Sequence, residues 1–202
     1  MPNHARCRWW ESPSRWVVEQ MVAVPYRLVS LRRREFDDAP WYGFVVGRTD
    51  ELLAIHQVSD RYSLDGYRIF RCSDLTEVDE QFHRRSLIEA ALSIKHQSPR
   101  EPSDLDLSGM RRAMETAQAL YPVLIINRER IYPDEVEVGT VRRTSEETYV
   151  LRWLSPEAIW EDDDRPFRYR DVTMLEFAGE YEQTLALVAQ HREKVVQLPP
   201  SS

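Results

Sequence analysis

Five histidines and two cysteines are the side chains of this 202-residue chain best suited to metal binding, proton transfer or nucleophilic attack. His4, His56, His83, His96 and His191 form no H-x-H or H-x-x-x-H pair that would aim two imidazoles at one ion. His56 lies in an apolar run, where a core or edge histidine is expected rather than a ligand. Cys7 and Cys72 make neither a C-x-x-C nor a four-cysteine zinc set, and two thiols suit a reducing compartment. There is no Gly-x-Ser-x-Gly nucleophile turn and no Gly-rich phosphate loop; the whole chain has only 6 glycines. The run Glu161 to Asp164 has no spaced oxygen ligands or turn-making Gly and reads as a solvated turn. The expectation is a non-enzyme with no catalytic residues, no metal site and no cofactor.

Arginine and tryptophan remain. Arg32, Arg33 and Arg34 end the first strand-like run, and Arg142 and Arg143 stand in the corresponding part of the second half. Neighbours on a strand point to opposite faces, so only part of each run can share a surface. Trp41, Tyr42, Trp153 and Trp160 exceed what small cores need, and aromatic and Arg side chains dominate protein-binding hot spots. Arg32, Arg33, Arg34, Trp41, Arg142, Arg143 and Trp153 are therefore the partner-binding candidates. A protein partner is the first expectation. The alternative is RNA or single-stranded nucleic acid held by Arg and stacked on aromatics; a homo-oligomer is compatible with either.

Composition narrows these classes. With 42% hydrophobic and 30% charged residues the chain is globular in type, and a net charge of -7 argues against an all-over nucleic-acid surface. The longest aliphatic runs, such as Val123 to Ile126, fall far short of the ~18 apolar residues of a membrane span. No signal-peptide pattern precedes Pro25, so a cytoplasmic location is expected.

The elements that must position the candidates are mainly strands. Apolar runs at residues 28–31, 41–46, 52–55 and 67–70 are separated by Asp37-Asp38-Ala39-Pro40, Arg48 to Glu51 and a turn expected at Leu64-Asp65-Gly66-Tyr67. Leu87, Ala91 and Ile94, with Ile88 and Leu92 beside them, predict a helix ending near His96. Leu107, Met110, Met114, Ala117 and Leu120 predict a second, closed by Pro122. Strand patterns return at 123–127, 136–141, 149–154 and in two short runs within 167–177, before a last helix striped by Tyr181, Leu185 and Val188.

The two strand-rich parts resemble one another. Gly43-Phe44-Val45-Val46-Gly47-Arg48-Thr49-Asp50-Glu51 matches Gly139-Thr140-Val141-Arg142-Arg143-Thr144-Ser145-Glu146-Glu147. Arg71 to Val78 matches Arg168 to Leu175, with Asp74 and Asp171 each two residues before a Thr. A Gly inside each strand allows the bend of a small barrel's corner, and each Asp is placed to satisfy backbone N–H groups at a turn. Gly-x-Val followed by a Thr-Asp/Ser-Glu turn and an aliphatic strand resembles the Sm-like version of the five-stranded SH3-type barrel, over residues 26–80 and 121–180. The stretch Tyr62 to Arg71 is similar to uncharacterised bacterial proteins containing such barrels. Sm-like RNA binders carry an Asn after the Asp turn and a later Arg-Gly pair. Here Ala54-Ile55-His56 stands in the strand after the turn, with no Arg-Gly beyond, so the resemblance does not extend to the RNA pocket.

The expected organisation is α+β and β-rich: an arm over 1–25, a first small barrel over 26–80, and a helical connector over 81–120. A second barrel over 121–180 and a C-terminal helix with polar tail over 181–202 complete it.

Overall fold

Residues 26–161 and 165–196 are described by the computed structural model. The N-terminal arm, Asp162 to Asp164 and the Pro-Pro-Ser-Ser tail lie outside them. The first strands are β1 (Leu28–Arg32), β2 (Trp41–Arg48), β3 (Leu52–Val58), β4 (Leu64–Arg71) and β5 (Glu77–Asp79). Helices α1 (Arg85–Ile94) and α2 (Met110–Leu120) follow. Then come β6 (Leu124–Asn127), β7 (Val136–Thr144), β8 (Thr148–Leu154), β9 (Trp160–Glu161), β10 (Pro166–Arg168) and β11 (Met174–Phe177), and α3 (Glu180–Val196) closes. The chain is α+β and strand-rich. No described helix is long and apolar enough to cross a membrane.

All strands among the described residues join in one open antiparallel sheet, ordered β10-β8-β7-β6-β11-β4-β3-β2-β1-β5, with β9 on the remainder of β8. The order β5-β1-β2-β3-β4 recurs as β11-β6-β7-β8-β10, and the two runs meet where β4 pairs with β11. Registers correspond as well. Val29 faces Gly43 and Leu124 faces Gly139; the β2/β3 register shifts between Val45 and Gly47, and the β7/β8 register between Val141 and Arg143. Such bulges bend a strand and raise its twist.

The glycines stand at matching close approaches. A Cβ on Gly43 would meet the His56 carbonyl at 2.7 Å and the Ile55 side chain at 2.6 Å; a Cβ on Gly139 would collide with the Arg152 carbonyl and reach Leu151 at 3.1 Å. Each run also carries a 3-10 turn, Cys72–Asp74 and Tyr169–Asp171. After it, Thr76 donates N–H to the Arg32 carbonyl and Thr173 to that of Asn127, at 2.8 and 2.9 Å. Among the described residues the two aspartates take up no backbone N–H group, contrary to expectation. Asp74 accepts from Ser73 Oγ and Arg130, and Asp171 lies 3.8 Å from Arg170 Nε.

The largest core cluster lies between the sheet and α2. Met110, Ala113, Met114 and Ala117 pack on Leu52 and Ile69 from the first run and on Leu124, Leu151 and Leu175 from the second. Each large side chain so buried stabilises by about 1.5–3 kcal/mol, and because both runs share the cluster this energy also holds them together. α3 covers the second run with Leu185 and Ala189 on Val123, Ile125 and Leu154.

Three further expectations need correction. The buried face of α1 is Ile88 and Leu92 on Leu28 and Val58, whereas Leu87 and Ile94 are 51% and 78% exposed. Both pairs satisfy the helical period, and only the sheet decides which faces inward. Leu64 to Tyr67 is the start of β4 rather than a turn; Gly66, at φ +68°, supplies a kink where a Cβ would meet Gly179 N at 2.5 Å. On α3, Tyr181 and Val188 stay exposed while Leu185 is joined inside by Ala189 and Glu182.

Candidate interaction surface

The turn after β1 fixes one end of a surface groove. Arg33 starts that turn, and its carbonyl accepts from the N–H groups of Phe36 and Asp37. Its side chain is 0% exposed. Nε and Nη2 donate to Asp37 at 2.7 and 2.9 Å, and Nη1 and Nη2 to Glu129 at 3.1 and 2.8 Å. A buried cation with bidentate carboxylates on two sides keeps its charge, and here burial is outweighed by Asp37 and Glu129, so that its pKa rises. Asp37 also accepts from Trp41 Nε1 at 2.8 Å, which locks the indole. Across that ring, 3.9 Å from its centroid, lies the Arg68 guanidinium, held by Glu176 of β11. Arg68 Nε and Nη1 are buried without a hydrogen-bond partner, and desolvation lowers its pKa despite Glu176 and Glu182.

From Trp41 the groove, 1520 Å³ in volume, runs over β3 and β4 to the first turns of α3. Its floor includes His56 stacked on Tyr67, centroids 4.6 Å apart, and Tyr67 stacked on Phe177. His56 Nδ1 accepts from the Arg100 N–H at 3.3 Å; burial, reinforced by the Arg100 cation, pushes its pKa down to about 4. It is therefore neutral at physiological pH, in the buried setting its apolar strand predicts. The far wall is exposed Tyr181 and Leu187 of α3, with Arg61 and Glu180 3.8 Å apart across the mouth. The α3 N-terminus is held in place by Glu182, which accepts from the Gly179 N–H at 2.6 Å. Burial raises the Glu182 pKa.

Of the residues singled out from sequence, Trp41 lines this groove. Arg33 lies buried behind it, and Arg32 and Arg34 turn to Glu77 on β5 at 3.8 and 3.3 Å. Arg142 and Arg143 are exposed on β7, with β6, β11, β4, β3 and β2 between them and β1 in the sheet order. Trp153 is part-buried against the shared core, edge-on to Phe167 at 6.0 Å, with Nε1 unpaired. Sequence reading missed Tyr67, Arg68, Arg100 and Tyr181. Arg68 sits in an ordinary strand pattern, and its meeting with Trp41 depends on a non-local pairing.

Among the described residues there is no group of three or more His, Cys, Asp or Glu that could hold a metal ion, and Cys72 is buried as a free thiol. No family model, curated protein or solved structure matches the chain.

Proposed function

We propose that this chain is a non-enzymatic cytoplasmic interaction module built from two Sm-like or SH3-like barrels, which binds a protein partner in the groove between Trp41 and Tyr181. The duplicated reading is supported by the recurring strand order, the matched bulges and the matching approaches of Gly43 and Gly139 to a partner strand. The binding reading rests on the Arg68–Trp41 stack. An indole tied to Asp37 with a guanidinium on its face is a preorganised aromatic–arginine wall, the composition of interface hot spots. The groove adds aromatic faces at Tyr67 and Tyr181 and charges of both signs at Arg61, Asp65 and Glu180. A polypeptide suits this mixture better than a phosphate backbone, which needs a mostly basic track.

Displayed peptides selected on the full chain test this reading. Selected peptides are expected to lose at least about tenfold in affinity with Tyr181→Ala or Arg61→Glu, both at exposed positions, and to be indifferent to Ile94→Ala on α1. Peptides unaffected by the groove variants overturn the reading. So does binding to single-stranded RNA that weakens with salt and needs Arg142 and Arg143, which moves the function to nucleic acid.

A further inference from the structure

Tyr67 and Arg68 are neighbours on β4 and point to opposite faces, so the groove has two sides. The Trp41–Arg68 stack occupies one. On the other, hydrogen-bond donors gather without an acceptor. His56 Nδ1 accepts from the Arg100 N–H, which leaves the proton of the neutral ring on Nε2, and Nε2 has no hydrogen-bond partner among the described residues. Gln97 Oε1 accepts from the Leu64 N–H at 2.9 Å. Its NH2 group is the end left over, again without a partner among the described residues. The Tyr67 hydroxyl lies beside the Arg100 side chain, in hydrogen-bonding reach. His56, Gln97, Tyr67 and Arg100 all line the groove.

The chain around Arg100 is anchored on both sides. Its own N–H is tied to His56 at 3.3 Å and the next, of Glu101, to the Tyr26 hydroxyl at 3.2 Å, while Pro99 and Pro102 restrict the flanking backbone. The backbone is thus pinned and the side chain stays exposed. Arg61 and Arg68 also line the groove, but each faces a carboxylate, Glu180 and Glu176. Arg100 has no carboxylate partner among the described residues.

We propose that this side of the groove seats one acidic side chain, an Asp or Glu, of the bound protein, with its carboxylate on the Arg100 guanidinium, His56 Nε2–H and the Gln97 amide. This rests on the groove being the partner site, and names what the partner must carry there. A guanidinium fork takes a carboxylate through two parallel bonds, and the neutral donors fill its remaining lone pairs. A doubly charged phosphate fits less well. One cation neutralises one charge, His56 adds none, and Asp65, which accepts from the Glu180 N–H at 2.7 Å, lines the same groove with Glu180. An amide in place of the carboxylate would turn its own N–H groups toward these donors, so the site selects Glu over Gln.

Displayed peptides selected on the full chain test this, with folding of every variant checked by circular dichroism. Selected peptides are expected to share an Asp or Glu. Its change to Asn or Gln should cost at least about tenfold in affinity for wild type and no more than about twofold for Arg100→Ala. Gln97→Glu, which keeps the acceptor for Leu64 but puts a charge where the NH2 group was, should weaken the same peptides by at least about tenfold. Binding lost in Arg100→Glu should return in part when the acid of the peptide is changed to Lys. Peptides that need Tyr181 and Arg61 but neither Arg100 nor an acid of their own overturn this proposal and leave the groove reading standing. Tighter binding of phosphoserine at the acidic position also overturns it, as does dependence on a free C-terminal carboxylate that amidation abolishes. Peptides indifferent to Tyr181→Ala, Arg61→Glu and Arg100→Ala alike defeat both readings.

Discussion

The turns after β1 and β6 each bury an arginine, yet the two are used differently. Arg33 and Arg128 each accept two N–H groups on their carbonyl, from Phe36 and Asp37 and from Ile131 and Tyr132. Arg128 then pairs with Glu137 on β7, its own neighbourhood, under Tyr132 and Phe167. Arg33 reaches Glu129 in the other strand run, and Glu129 in turn accepts from Thr173 Oγ1. The same local turn therefore closes a core in one place and fastens two runs together in the other. The lesson is that the partner carboxylate, supplied from elsewhere in the chain, decides the role of a buried cation.

The strongest way to break this comparison is Arg33→Leu, which leaves Asp37 and Glu129 facing one another without a cation. It should cost about 3–5 kcal/mol in urea unfolding. Arg128→Leu should cost a similar amount. Hydrogen exchange separates them, since Arg33→Leu should deprotect β4 and β11 whereas Arg128→Leu should deprotect β7 and β8 first. If both variants open the same strands, the assigned difference is wrong.

Next in size are the glycines. Gly139→Ala drives a methyl into the Arg152 carbonyl, and Gly43→Ala drives one toward the His56 carbonyl and the movable Ile55 side chain. Both should destabilise by about 1–3 kcal/mol, Gly139→Ala more, because its methyl comes closer to a backbone carbonyl than that of Gly43→Ala does. Equal midpoints for wild type and Gly139→Ala would remove the sharp bend from β7.

The smallest effect is pH-dependent and confined to the first run. His56 aligns with Arg152, whose guanidinium stacks on Trp160. With its folded pKa pushed to about 4 from an ordinary 6.5, His56 resists a proton that the unfolded chain accepts. Its contribution is fully present above about 6.5 and is lost as pH falls toward about 4. His56→Gln should flatten that part of the stability profile in thermal melts at stepped pH. An unchanged slope would mean that the imidazole takes its proton without unfolding.

The strands were largely legible from sequence because apolar runs and Asp-, Gly- and Pro-rich turns are local signals. The matches from Gly43 and Gly139 onward fall on corresponding registers of β2 and β7. The α1 face was misread because Leu87–Ile94 and Ile88–Leu92 are equally periodic, and burial is decided by β1 and β3. Trp41 was legible as a surplus aromatic. Its neighbour Arg68 was not, because the pairing of β4 with β11 joins parts of the chain that no local pattern links. Arg33 read as one of three similar arginines, and nothing in Arg32-Arg33-Arg34 marks the middle one for burial apart from strand alternation.

The strand that completes the sheet leaves the ribosome late. β11 fills the space between β4 and β6, so until Met174 to Phe177 emerge both of those edges are bare while their own neighbours can already be in place. A nascent chain thus passes through a stage with two unsatisfied apolar edges, when mispairing with another nascent copy is easiest. Slow codons or a stalled message just ahead of residue 174 would prolong that exposure.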